Sequence, residues 1–139
     1  MKRLLTLLAA LLALTQAAPL HAQQSGDDPL ARLLFPPELV MQHQADIGLR
    51  PEQRTAITRA IGELQGKVLD VQWRMQDATG QLAGLLDRPS IDQTAALAQV
   101  DEVLNLEREV KRAQLALLIR IKNSLTPEQQ GKLDQYRKR

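Results

Sequence analysis

Between positions 57 and 85 the apolar residues return at steps of four and three: Ile57, Ile61, Leu64, Val68, Val71, Met75, Ala78, Leu82 and Leu85. A repeat of about 3.5 residues held without error lays one continuous stripe along one side of an α-helix. Pro51 suits the first position of that helix, where a missing N–H costs nothing. The spacing therefore predicts a helix from Pro51 to Asp87, roughly 55 Å long at about 1.5 Å per residue. Gly62, Gly66, Gly80 and Gly84 fall off the stripe. Each costs about 1 kcal/mol relative to Ala in a helix interior, so this helix needs a packed partner.

The partner follows directly. Arg88-Pro89-Ser90 breaks the first rod, because a proline disfavours helical geometry in the residue before it. Ser90 is read as an N-cap, with Gln93 completing a capping box. The second long helix then runs from about Ile91 to Ser124, with its stripe at Val103, Leu106, Val110, Ala113 and Leu117. Leu97, Val100, Leu104, Leu118 and Ile121 widen that stripe into a second row. A three-residue turn between two long helices forces them antiparallel. Short helices flank the pair. One is expected from Glu38 to Asp46, ending at Gly48, a residue suited to a left-handed cap. The other starts at Leu125-Thr126-Pro127-Glu128-Gln129, where Thr126 caps, Pro127 takes the first position and Gln129 completes the box. The fold class is all-α, a long antiparallel helical hairpin flanked by two short helices. Because such a hairpin leaves apolar stripe uncovered, a homodimer is its simplest closure.

The first 22 residues read differently. Met1-Lys2-Arg3 is basic, Leu4 to Leu14 is apolar apart from Thr6, and Ala22 is a small residue at a plausible cut site. That order is the signature of a secretory signal peptide, and the apolar run is shorter than the ~20 residues of a membrane span. Expected organisation is thus a signal peptide over 1–22, a flexible leader over 23–36 and a helical domain over 37–137. Cleavage would place the domain in the periplasm. It would also remove two of the 18 basic residues, leaving 16 against 16 acidic and no net charge. The basic balance of the full chain therefore says nothing about nucleic acid. Phe35, Trp73 and Tyr136 are the only aromatics, too few to stack the bases of a single strand. Lys132, Arg137, Lys138 and Arg139 crowd the tail, where cations suit the negative end of a helix.

Candidate chemistry is sparse. There is no cysteine, which excludes a thiol nucleophile and a thiolate metal site. Nucleophilic catalysis needs an adjacent base, and cleavage leaves His43 as the one histidine, so no enzyme is expected. Asp101, Glu102, Glu107 and Glu109 read as a solvated face, paired at helical spacing with Arg108, Lys111 and Arg112. His43 is also the candidate metal ligand, with Asp46 on its face at i+3 and Met41 off it. Gln42, Gln44 and Ile47 offer it no second imidazole. Glu52 or Glu63 could join it only after folding. Nickel, cobalt, copper or zinc would be the ions concerned. The composition better supports loose binding of unfolded chains, which requires moderate exposed apolar area rimmed by charge, with Met41 and Met75 as adaptable contacts.

Two segments carry a family resemblance. Leu125-Thr126-Pro127-Glu128-Gln129 resembles the LTxxQ motif of the periplasmic Spy/CpxP family. Leu49-Arg50-Pro51-Glu52-Gln53 looks like its first copy, with arginine in place of threonine. The key motif positions are Leu49, Pro51, Gln53, Leu125, Thr126, Pro127 and Gln129. Leu49 to Ile57 and Leu117 to Gln129 are most similar to the CnrX/ZraP-like heavy-metal-resistance branch. The resemblance implies a cradle-shaped antiparallel dimer. It also implies an envelope-stress role, as an ATP-independent holding chaperone for unfolded or misfolded envelope proteins or as the sensing partner of a membrane-bound regulator. A periplasmic heavy-metal sensor and a structural helical adaptor are the alternatives. Arginine cannot cap as threonine does, so the first long helix is expected to fray at its start.

Overall fold

The computed structural model describes residues 30–138; the expected signal peptide and residues 23–29 of the leader lie outside them. Four helices follow in order: α1 (Pro37–Gln42), α2 (Pro51–Leu86), α3 (Gln93–Ser124) and α4 (Pro127–Arg137), preceded by a short 3-10 turn at Ala31–Leu33. The all-α class stands, and α2 packs along α3 as the two arms of a hairpin.

The stripes meet as their spacing predicts. Ile57, Val71, Leu106 and Leu117 are buried, while Ile61, Leu64, Val68, Met75, Leu82, Leu85, Val103 and Val110 are half-buried along the seam. Two cores result. The larger lies at the open base of the hairpin, where Phe35, Val40, Ile47, Leu125 and Leu133 close over Ile57, Ala60, Leu117 and Ile121. The smaller sits midway up the arms, where Val71 and Ala78 meet Leu106. Ile121, expected in the outer row of α3, is fully buried at the base, where α1 and α4 cover it.

Three local expectations are corrected. The first short helix stops at Gln42 rather than Asp46, because His43 leaves helical geometry (φ −108°, ψ 19°). The chain then rolls through turns that carry Ile47 into the core. Gly48 does take the left-handed conformation (φ 65°). Its N–H reaches the Ala45 carbonyl at 3.1 Å and that of Leu49 the Gln44 carbonyl at 2.8 Å, the paired closure of a Schellman turn. At the hairpin tip α3 is capped by Asp92, not Ser90: the carboxylate accepts from the Ala95 N–H at 3.0 Å. An ionised acceptor suits the positive end of a helix better than a hydroxyl does.

The third correction concerns upstream packing. Phe35, placed in the expected leader, is buried in the base core. Lys122 Nζ lies 5.9 Å and the Arg137 guanidinium 4.9 Å from the centre of its ring. Lys122 also donates to the Leu33 carbonyl at 2.7 Å, and Arg137 donates to the carbonyls of Arg32 and Leu34. Part of the basic tail thus binds the start of the packed unit.

Candidate functional site

The two motif copies come together at the base of the hairpin. In each, the leucine enters the core (Leu49 half-buried, Leu125 buried) and the proline occupies the first helical position, Pro51 in α2 and Pro127 in α4. Thr126 caps α4: its hydroxyl accepts from the Gln129 N–H at 3.3 Å, while Gln129 Oε1 accepts from the Thr126 N–H at 2.9 Å. Arg50 can supply no such acceptor, and its guanidinium pairs with Glu52 instead. The second half of the box persists, with Gln53 Oε1 accepting from the Arg50 N–H at 2.9 Å. The expected fraying does not occur; α2 is regular from Pro51.

What holds it is a contact the sequence reading did not foresee. Gln53 and Gln129 are buried against each other. Gln53 Nε2 donates to Gln129 Oε1 at 2.8 Å, and Gln129 Nε2 donates back to Gln53 Oε1 at 3.0 Å. The remaining amide protons go to the carbonyl just before the opposite motif: Gln53 to Ser124 at 2.7 Å, Gln129 to Gly48 at 3.2 Å. Two amides therefore use all four N–H groups and all four acceptor sites, in a nearly two-fold arrangement. The available signal was the glutamine at the third helical position of both copies.

His43 lies beside this clasp. Its ring stacks on Tyr136 of α4, with centroids 3.7 Å apart and planes 12° from parallel. Nδ1 sits 3.1 Å from Asp46 Oδ2, the i+3 neighbour read from spacing. Lys132 Nζ donates to the Asp46 carbonyl at 3.2 Å. The His43 hydrogen bond, and after it that of the Tyr136 hydroxyl, holds the Asp46 carboxyl below its usual range. A depressed carboxylate stabilises the fold above its unfolded pKa, about 4, and loses that contribution as pH falls through the folded value. Asp46→Asn should accordingly flatten the loss of stability as pH falls below about 4. Urea unfolding across that range checks this, and an unchanged acid limb would show the pair to be neutral.

Among the described residues no three His, Asp or Glu side chains converge as a metal site. One imidazole, already engaged through Nδ1, and one carboxylate fall short of the three or four donors a first-row ion takes. Among the described residues of one chain the donor set does not fit a transition metal. Met41 is exposed, and Glu52 is turned to Arg50 and Glu63 to Arg120.

The remaining surface is a hairpin with apolar outer edges. On α3, Leu97, Leu104, Leu115 and Ile119 are exposed on one face, beside Arg108 and Lys111. Along one side of the seam, Ala60, Leu64, Ala113 and Leu117 floor an open hollow of about 160 Å³, with Glu63, Lys67 and Arg120 on its rim. Glu63 pairs with Arg120, and Glu109 with Lys67 and Arg74; these contacts hold both carboxylates below their usual range. No described helix is long and apolar enough to cross a membrane.

A family model described as heavy-metal resistance matches residues 4–132. No curated protein and no solved structure matches the chain.

Proposed function

The chain belongs to the heavy-metal-resistance family, and on that footing we propose that it is a non-catalytic periplasmic envelope-stress protein of Spy/CpxP type. In this reading it holds unfolded or misfolded envelope proteins without ATP, or reports on them to a membrane-bound regulator. The observation that carries it is the outer row of α3, where Leu97, Leu104, Leu115 and Ile119 stand in solvent between charged neighbours. Apolar area that is exposed but modest, and interspersed with charge, binds extended chains loosely enough to release them. Packing of α3 along α2 turns its inner stripe to the seam and leaves that row facing outward.

The mature protein at low-micromolar concentration should slow the aggregation of a chemically unfolded client, read by light scattering. Leu104→Glu combined with Leu115→Glu should weaken the effect by roughly three-fold or more, since charge on the row opposes apolar contact. If the unaltered protein has no effect on aggregation, the holding role is wrong.

The family match favours a second reading, response to nickel, cobalt, copper or zinc with His43 among the ligands. Since the described residues of one chain do not supply the donors, this reading calls for a second copy to complete the shell. Titration of the metal-free protein decides it. Loss of affinity by about ten-fold in His43→Ala supports the reading, and equal binding removes that histidine from it.

A further inference from the structure

The segment that leads into α1 sets apolar and basic groups together at the base of the molecule. The Leu33 N–H donates to the Leu30 carbonyl at 3.0 Å, closing the 3-10 turn at Ala31–Leu33. In that geometry side chains three apart eclipse one another, so Leu30 and Leu33 stand side by side. They are 58% and 60% exposed, whereas Phe35, two positions on, is buried in the base core and pins the turn in place.

Cations surround the pair. Arg32 is exposed within the turn, and exposed Lys138 follows Arg137 at the end of α4. Lys122 and Arg137 hold the backbone carbonyls of the turn and flank the Phe35 ring. Against these four, Asp134 lies 4.0 Å from Arg137 and Glu38 follows in the first turn of α1. An ammonium that donates once keeps two further protons, and a guanidinium that donates twice keeps three. Lys122 and Arg137 can therefore meet phosphate oxygens without releasing the turn.

We infer that this end of the molecule is a peripheral docking surface for a membrane that bears anionic phospholipid. Leu30 and Leu33 enter the headgroup layer, and Arg32, Lys122, Arg137 and Lys138 meet its phosphates. Charge complementarity selects the occupant, because paired leucines among cations match a surface that is negative outside and apolar beneath. A second copy in an isologous contact would set cations against cations. The same turn is where residues 1–29 join the described unit. Export directed by a basic start and the apolar run from Leu4 to Leu14 would leave this end nearest the bilayer. Trp73 lies about 33 Å along α2 from Pro51 at about 1.5 Å per residue, so a molecule docked by its base holds it clear of lipid. This inference stands apart from the client-holding reading, which uses the outer row of α3.

Co-sedimentation of the mature protein with vesicles tests this, using phosphatidylcholine alone and phosphatidylcholine with one quarter phosphatidylglycerol. The anionic vesicles should carry the protein down and the neutral ones should not. Added salt should weaken the binding, since exposed charges are screened. Leu30→Ser with Leu33→Ser should lower the partition coefficient by roughly ten-fold or more. Arg32→Gln and Lys138→Gln should each lower it by about five-fold, while Leu97→Ser with Leu104→Ser on α3 should leave it unchanged. In a Trp73→Phe chain, Leu33→Trp should shift its emission to the blue on anionic vesicles, whereas Trp73 of the unaltered chain should not. Circular dichroism confirms that each variant folds. A protein that stays in solution beside anionic vesicles, binds neutral ones equally, or loses binding through Leu97 and Leu104 instead overturns the proposal. Retention on polyglutamate without sedimentation on vesicles also overturns it, and gives the patch to an acidic protein partner.

Discussion

Gln129→Ala should lower the unfolding free energy by about 3 kcal/mol. Truncation strips the Gln53 amide of one donor and one acceptor partner and leaves the Gly48 carbonyl and the Thr126 N–H without their bonds. A buried polar group left unpaired costs about 1–3 kcal/mol, and here several lose partners together. Gln129→Glu separates capping from clasping. The carboxylate still accepts from the Thr126 N–H, so the capping box survives, but it has no proton for Gly48 and opposes the oxygen of Gln53. The substitution should therefore cost nearly as much as alanine at neutral pH and less in acid, where a protonated carboxyl regains one donor. In a double-mutant cycle Gln53→Ala and Gln129→Ala should couple by about 1–3 kcal/mol. Chemical unfolding that finds the two substitutions additive would reduce the pair to two independent helix caps.

Ile121→Ala should cost about 2–5 kcal/mol, the range for truncating a fully buried aliphatic side chain. Ile121 is 0% exposed and sits where α2, α3 and both short helices converge, so neighbouring elements cannot all relax into the space. In a domain of this size that corresponds to a fall in melting temperature of roughly 10 °C or more. Leu97→Ala, also on α3 but exposed, should change stability by less than about 0.5 kcal/mol. Equal effects at the two positions would mean that α4 does not seal the base.

The contrast between Ile121 and Leu97 shows where the sequence was readable. Steps of three and four set α2 and α3 and the face each turns to the other, because a helical stripe is a local property. Ile121 and Leu97 belong to the same outer row by spacing alone. Only the arrival of α1 and α4 at one end makes the first a core residue and leaves the second in water. The tip was misread because Ser90 and Asp92 both suit a cap, and the choice turned on which acceptor the folded turn aims at Ala95. The His43–Asp46 contact lay within one helical step and was legible. The Tyr136 ring on its other side comes from α4, ninety-three positions along the chain, and no pattern announces it. The glutamine clasp is intermediate: both residues were visible as motif positions, and their meeting was not.

The uneven distribution of the interior has a mechanical consequence. Nine buried apolar residues close the base, three hold the middle, and toward the tip Leu86, Ile91 and Leu97 are open to water. Opening free energy follows local burial, so the molecule is stiff at its base and progressively more compliant toward the turn that joins α2 to α3. Its far half can flex by small amounts without loosening the grip at the other end, which lets one short chain conform to neighbours of irregular shape.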